Sequence, residues 1–374
     1  MEMRILKFRL KAFKKLIIWK IFLTIIFLFC FLCFYNKLIN LVILTVLDIT
    51  PRAPTTNQIS PPQPNITDWN FKVKKVYALV FYGRRKQASI LLRYLEPNAK
   101  QNGGILDKIV FAVKTNNTED LVYLETIMNQ NKTYFERVTF SNTNQYTEIY
   151  STLDDDDLIF KIDDDIVFIA DGTFERMYDE YIENQLLFLS ANVVNHPLLS
   201  YVHARMRAVL AFYEKTPDNW VRYKNKTEID DTPATKNTYD AWGTWLSCDK
   251  CAAMTHHSFL YHAERNNFHI YDFKVWDFHS SVYTRWSINF VLMRGKYVNK
   301  IKDWFPDMDD DEVAISHKIP EILKKHAYAL GSALVVHFSY ANQYDYMKNT
   351  SILEKYDNFS KKYLTKKYYS KKNE

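Results

Sequence analysis

Hydrophobic positions along the chain fall into three regimes. From Leu16 to Tyr35 they are almost continuous, with one charge at Lys20, and about 20 apolar residues suffice to span a bilayer. From Thr50 to about Asn70 they thin out into a segment carrying Pro51, Pro54, Pro61, Pro62 and Pro64, which cannot bury a core and reads as an extended stem. Beyond Lys72, short apolar runs alternate with amphipathic ones. Val76–Tyr82 predicts a strand, Gly83 a turn, and Gln87–Leu95 an amphipathic helix. Ile109–Val113 predicts a second strand, and 117–129 a helix with Thr118 as N-cap and Glu119 and Asp120 in its first turn. Tyr146–Leu153 predicts a helix that leads into the strand Leu158–Ile162, and a further apolar segment, Ile166–Ile169, follows. Alternation at this spacing implies βαβ units and a mainly parallel sheet over residues 72–345. Ligands of such sheets bind at the carboxyl ends of strands, where Gly83-Arg84-Arg85 and Asp163–Asp165 both fall.

Charge refines the picture at the N-terminus. Residues 1–20 hold seven basic side chains and one acidic, a balance of +6 that equals the formal charge of the whole chain. The rest of the chain balances to zero, so the basic pI gives no support to nucleic-acid binding. Basic residues precede the apolar run and only Lys37 follows closely, which places residues 1–15 in the cytosol, 16–35 in the membrane as a signal-anchor and 36–71 in a lumenal stem. A cleavable signal peptide fits less well, because the apolar core is long and no small-residue cleavage site follows it. Leu38–Leu47 is too short to span alone and extends the anchor or lies at the interface. N-x-S/T sequons at Asn65, Asn116, Asn131, Asn225, Asn349 and Asn358 agree with a lumenal body. Residues 346–374, Lys- and Tyr-rich from Lys361 on, read as a solvated C-terminal tail. Cys248 and Cys251 form the one C-x-x-C beyond the anchor. A local disulfide or two thiols is the plain reading, since a zinc site with His256 and His257 lacks the second spaced pair.

The chemistry concentrates in L-I-F-K-I-D-D-D-I-V-F-I, Leu158–Ile169. Three carboxylates at the end of a core strand cost several kcal/mol, about that much or more, unless a cation sits among them. Asp163 and Asp165, two apart in an extended segment, point the same way and can share one divalent ion, while Asp164 faces elsewhere. The run Asp154–Asp157 before the strand reads as a solvated loop. No glycine stands at the sixth position of either acidic cluster, which excludes an EF-hand.

At these residues the chain resembles the GT-A class of sugar-nucleotide-dependent glycosyltransferases. Their D-x-D motif closes a strand and holds Mn2+ against a nucleotide diphosphate, and K-I-D-D-D-I-V-F is similar to the wording of the β-1,3-galactosyltransferase and Fringe type. The resemblance implies a Rossmann-like α/β fold of GT-A type behind an N-terminal transmembrane helix. It also implies Mn2+ or Mg2+ as cofactor, a nucleotide-sugar donor, UDP-linked, and a glycan, glycoprotein or glycolipid acceptor. The Phe81–Arg85 loop would line the nucleotide pocket, with Tyr82 stacking on a base, Gly83 at the turn, Arg84 or Arg85 facing the diphosphate, and Asp164 beside the nucleotide. Ile288–Val298, an apolar strand broken by Gly295, resembles the glycine loop near donor and acceptor. Asp307–Ile315, D-M-D-D-D-E-V-A-I, corresponds to the segment that supplies the general base of inverting enzymes, Asp311 or Glu312, and crowding there raises at least one pKa. Read alone, that segment is equally an acidic helix N-terminus. Ala333–Tyr340 carries His337 where the family's C-terminal histidine completes metal coordination with Asp163 and Asp165.

The chain is also similar to a set of fungal single-pass type II proteins through Phe81–Arg85, Ser190–Ser200, His256–Leu260 and His337–Tyr340. It departs from the β-1,3 pattern in having D-D-D-E for E-D-V and in lacking the usual cysteines. Asn192, Asn195, His196, Trp242, Trp245, His256, His257 and Trp276 are candidates to line a sugar pocket, against core packing as the plainer role. The expectation is a Golgi or endoplasmic-reticulum membrane glycosyltransferase with a lumenal catalytic domain. The alternatives are a sugar-phosphate or other phosphoryl transferase on the same metal site, and a tethered glycan- or metal-binding protein without turnover.

Overall fold

The structure, a computed structural model, describes residues 72–139, 146–223, 246–280 and 282–371. The expected cytosolic tail, the expected anchor Leu16–Tyr35 and the expected stem lie outside these residues. Among the described residues no helix is long and apolar enough to cross a membrane.

Strand β1 (Val76–Tyr82) lies inside a nine-stranded sheet, paired in parallel with β2 (Lys108–Val113) on one side and β4 (Leu158–Asp163) on the other. Helix α1 (Arg85–Leu95) carries the chain from β1 to β2, and α2 (Thr118–Gln130) carries it on to β3 (Phe135–Thr139). After β4 come β5 (Ile166–Ile169), α3 (Thr173–Glu183), β6 (Phe188–Val194), α4 (Leu199–Arg205) and the hairpin of β7 (Phe212–Thr216) and β8 (Asn219–Arg222). Then follow α5 (Asp249–Ala263), β9 (Val275–Asp277), β10 (Phe290–Arg294), β11 (Ala327–His337), α6 (Ala341–Met347) and α7 (Ile352–Lys371). The sheet order is β3-β2-β1-β4-β10-β6-β11-β5, with β9 added on β11. β1, β2, β3, β4, β6 and β11 run one way and β5, β9 and β10 the other. This is a mixed α/β, Rossmann-like sheet.

The 3-2-1-4 order makes the chain reverse its direction of travel across the sheet between β1 and β4. A crevice therefore opens at their carboxyl ends, where neighbouring connections leave on opposite sides. Phe81 pairs with Asp163 across these two strands, so both Gly83-Arg84 and the aspartates emerge at that crevice. The chain then turns at Asp164 and Asp165 and returns as β5, antiparallel to the end of β11. A register shift falls between Val336 and His337 in this pairing, and such irregularities re-aim side chains. It brings His337 beside Asp165, whose carbonyl accepts the Phe338 N–H at 2.9 Å.

Three local expectations differ from the structure. The N-cap of α2 is Asn117, whose side chain accepts from the Asp120 N–H at 3.1 Å, so the helix begins at Thr118. The helix expected over Tyr146–Leu153 is a 3-10 turn, Glu148–Thr152, with Ile149 and Tyr150 buried and the Thr147 hydroxyl fastened to the Met308 carbonyl at 2.8 Å. The expected C-terminal tail is folded. α7 buries Ile352, Tyr356, Ser360 and Leu364, one residue in every four, and Arg93 of α1 binds Asp357 at 2.7 Å. Cys248 and Cys251 are joined in a local disulfide at the start of α5.

Candidate active site

Asp163, Asp165 and His337 converge: one ligand atom from each lies within 4.8 Å of the other two. Asp163 is held from two sides. The Lys161 ammonium binds its Oδ1, and Asn289 donates to its Oδ2 at 3.0 Å. Asn289 is itself oriented by the Tyr340 hydroxyl at 2.9 Å, and the Tyr340 ring lies 4.4 Å from that of His337. Asp165 is fully buried, with its carboxylate 3.2 Å from Arg84 Nη1 and 3.3 Å from His337 Nε2. Burial pushes the Asp165 carboxyl up, but the Arg84 guanidinium and His337 more than offset this and hold it below the usual carboxylate range.

Asp164, expected beside the nucleotide, serves the protein instead. Its carboxylate accepts the Gly83 and Arg84 backbone N–H groups, each at 2.6 Å, and the Arg84 guanidinium through Nε at 2.9 Å. Burial opposes the charge of Arg84, yet Asp164 and then Asp165 keep it above the ordinary arginine range. Arg85 turns away to the start of α2, binding Asp120 at 3.0 Å and Glu119. Gly83 is not forced by crowding, since a Cβ there would meet only the Asp164 carboxylate at 3.6 Å.

Two expected site residues lie elsewhere. Tyr82 is fully buried in the core, edge-on to Phe111 at 5.9 Å, with its hydroxyl donating to the Asp120 carbonyl at 2.6 Å, so its ring is not offered to a base. Its neighbour Phe81 points to the crevice and carries the half-exposed ring of Tyr146 stacked upon it at 6.2 Å and 14°, with Lys114 Nζ 3.8 Å above Tyr146. Gly295 lies at the opposite end of the strands. β10 is antiparallel to β4, pairing Phe290 with Ile162 and Arg294 with Leu158, so the glycine follows the end remote from Asp163. It is needed there, because a Cβ would stand 2.0 Å from the Asp154 carbonyl oxygen. The loop Asp154–Asp157, read as simply solvated, is braced at that end by Lys74, Arg294 and Asn299 and buries Asp157.

The second acidic cluster does reach the crevice. Asp310 caps the short helix Asp311–Val313, and Asp311 and Glu312 take different surroundings. Asp311 is buried and accepts the Tyr150 hydroxyl at 2.8 Å. Burial raises its pKa, and Lys161 opposes the rise. Glu312 keeps a fifth of its side chain exposed, binds Arg285 Nε at 2.7 Å through Oε1, and is also raised by burial against the pull of Arg285.

The sugar-pocket candidates are mostly core. Asn192 bonds the Tyr271 and Gly331 carbonyls and His203, and His196 bonds the Ser287 carbonyl and two backbone N–H groups. His256 bonds the Phe338 carbonyl and Tyr356. Asn195 binds the Phe338 carbonyl and Gln343, His257 packs on Trp220, and Trp276 lies on β9 opposite Ala329. Trp242 and Trp245 lie outside the described residues. Lys161, Asn289, Arg285, Tyr146 and Tyr340 enter the site without having been expected. Only Lys161 carried a signal, standing two residues before Asp163 on the same strand face.

No protein-family model matches the chain, and no curated protein matches it. Among solved structures it is similar to 4-diphosphocytidyl-2C-methyl-D-erythritol synthase from Anaerococcus prevotii DSM 20548, at 10% identity and a TM-score of 0.36. The match covers 80% of this chain and 98% of that one.

Proposed function

We propose that this protein is a metal-dependent glycosyltransferase of GT-A type that moves a sugar from a nucleotide diphosphate donor, UDP-linked, to an acceptor hydroxyl with inversion. The observation that carries the reading is the convergence of Asp163, Asp165 and His337 at the carboxyl ends of the central strands, with a second carboxylate pair at the same crevice. The residues fit a divalent cation. His337 Nδ1 is buried with no hydrogen-bond partner, Asp165 Oδ1 meets only His337 Nε2, and two carboxylates with one imidazole suit Mn2+ or Mg2+. A bound ion there would supply charge to neutralise the donor diphosphate.

The chain's own residues take the remaining roles. Arg84, locked on Asp164, shapes the β1 turn against the phosphates. The half-exposed Tyr146, backed by Phe81 and with Lys114 Nζ over its ring, presents its rim and that cation to the nucleotide. Glu312 is the general base. It is the more accessible of the two candidate carboxylates, Arg285 fixes its orientation through one oxygen, and burial raises its pKa toward the range where a base works. Asp311, closed in by Tyr150, is its supporting neighbour. The basic flank and apolar run at the N-terminus support a Golgi or endoplasmic-reticulum membrane setting with the domain lumenal.

The test is release of nucleotide diphosphate, and formation of a glycoside, by full-length detergent-solubilised protein with a panel of UDP- and GDP-sugars. The expected result is release from one donor that EDTA and Asp165→Ala abolish, and that Glu312→Gln reduces at least about 100-fold while donor binding persists. Loss in Asp311→Asn with activity kept in Glu312→Gln would exchange the two roles. A phosphorylated acceptor would replace the reading with phosphoryl transfer. Failure to bind any nucleotide with Mn2+ would end it.

A further inference from the structure

We infer that Lys161 is a positioning residue whose ammonium keeps the cation seat in the absence of the ion, occupying Asp163 until a divalent cation displaces it. The inference rests on the metal site proposed above and concerns what that site does when empty. Lysine is almost never fully buried without a partner, yet Lys161 is 5% exposed in the middle of β4. Its Nζ binds Asp163 and the Ile288 carbonyl, the latter at 2.9 Å, and lies 5.0 Å from the Phe81 ring.

The surrounding charges say why a cation stands there. Asp163, Asp164, Asp165, Asp310, Asp311 and Glu312 face Lys161, Arg84, Arg285 and Lys114, which leaves two negative charges when all are ionised. One divalent cation closes that deficit. Without it, the carboxylates repel across a water-poor crevice, and Lys161 is the cation placed to relieve them. Arg84 is shared between Asp164 and Asp165, so it relieves that side of the cluster and leaves Asp163 to Lys161. Asp163 is thus contested: its Oδ1 serves the ammonium or the ion, and the nearby positive charge opposes the ion's approach. Lys161 keeps its Ile288 contact in either state, so it can yield Asp163 without leaving the strand face.

The consequence is opposite to that of an ordinary structural residue. Removing the ammonium should tighten metal binding while lowering the stability of the ion-free protein. The experiment is Mn2+ titration of full-length protein by electron paramagnetic resonance, with thermal melting in EDTA and in Mn2+, for the wild type, Lys161→Met, Lys161→Gln and Lys161→Arg. Expected is Mn2+ binding about tenfold tighter in Lys161→Gln and Lys161→Met, a larger Mn2+-induced rise in Tm than in the wild type, and wild-type behaviour in Lys161→Arg. Lys161→Gln keeps a hydrogen-bond donor should the methionine variant fail to fold. Equal or weaker Mn2+ binding in the neutral variants, with a wild type that binds, would overturn the inference and leave the metal site standing. Absence of Mn2+ binding in every protein would overturn both.

Discussion

Arg84 and Asp164 meet through the arginine backbone N–H at 2.6 Å and through two guanidinium nitrogens, Nε at 2.9 Å and Nη2 at 2.5 Å. The Gly83 N–H adds a fourth contact at 2.6 Å. The middle aspartate of the motif is thereby the anchor of the β1 turn, and its two neighbours are left for a cation. Asp164→Ala should cost about 2 kcal/mol in urea unfolding, since it orphans two backbone donors and leaves the part-exposed Arg84 guanidinium with Asp165 alone. Its Mn2+ affinity should change less than that of Asp163→Ala or Asp165→Ala. Full stability in Asp164→Ala, with metal binding lost, would place Asp164 among the ligands instead.

The acid limb of the activity should follow Glu312. A base acts when ionised, so the rate rises with pH through its pKa, and burial sets that pKa above the usual glutamate range while Arg285 pulls it down. Arg285→Gln removes the opposing charge, and the limb should move to higher pH. A limb that stays in place in Arg285→Gln would assign it to another group.

The parts of the site that lie close together in the chain were legible in the sequence, and those that meet through the sheet were not. A strand period of two pairs Asp163 with Asp165, but β4 ends at Asp163 and the turn brings Asp165 back to it, while His337 is joined to them in the sequence through the family resemblance. The same period failed at Tyr82. β1 is buried on both faces, so apolar residues no longer alternate and nothing local tells Phe81 from Tyr82. Gly295 was misplaced because strand direction is set by neighbours, and β10 runs against β4. Asn289 and Arg285 carry no motif and reach Asp163 and Glu312 only after folding. The stripe of α7 was hidden among lysines and interrupted by Ser360.

Gly295 supplies a prediction that separates the two ends of the strands. A methyl group there collides with the Asp154 carbonyl, which is backbone and cannot swing aside. Gly295→Ala should lose about 2 kcal/mol or more in stability, with nucleotide and Mn2+ affinities unchanged in the folded protein. Weakened nucleotide binding at wild-type stability would return Gly295 to the donor site.

The buried histidines make folding stability depend on pH. Burial lowers His196, His203 and His256 each to about 3, against about 6.5 in an unfolded chain. Between these values the unfolded chain binds more protons than the folded one, so stability rises with pH across the window and is lost as pH falls from 6.5 toward 3. Three such groups give a limiting slope of about 4 kcal/mol per pH unit. Asp311 and Glu312 act in the opposite sense, because their raised pKa values favour the folded state as they protonate, and they soften the fall. Urea unfolding of the solubilised protein at pH 7, 6 and 5, followed by tryptophan fluorescence, should show midpoints falling steeply below pH 6. His256→Gln should reduce the limiting slope by about 1.4 kcal/mol per pH unit. Midpoints that stay level between pH 7 and 5 would mean that the histidines are charged in the fold or that the carboxylates dominate, and the Glu312→Gln variant would tell these apart.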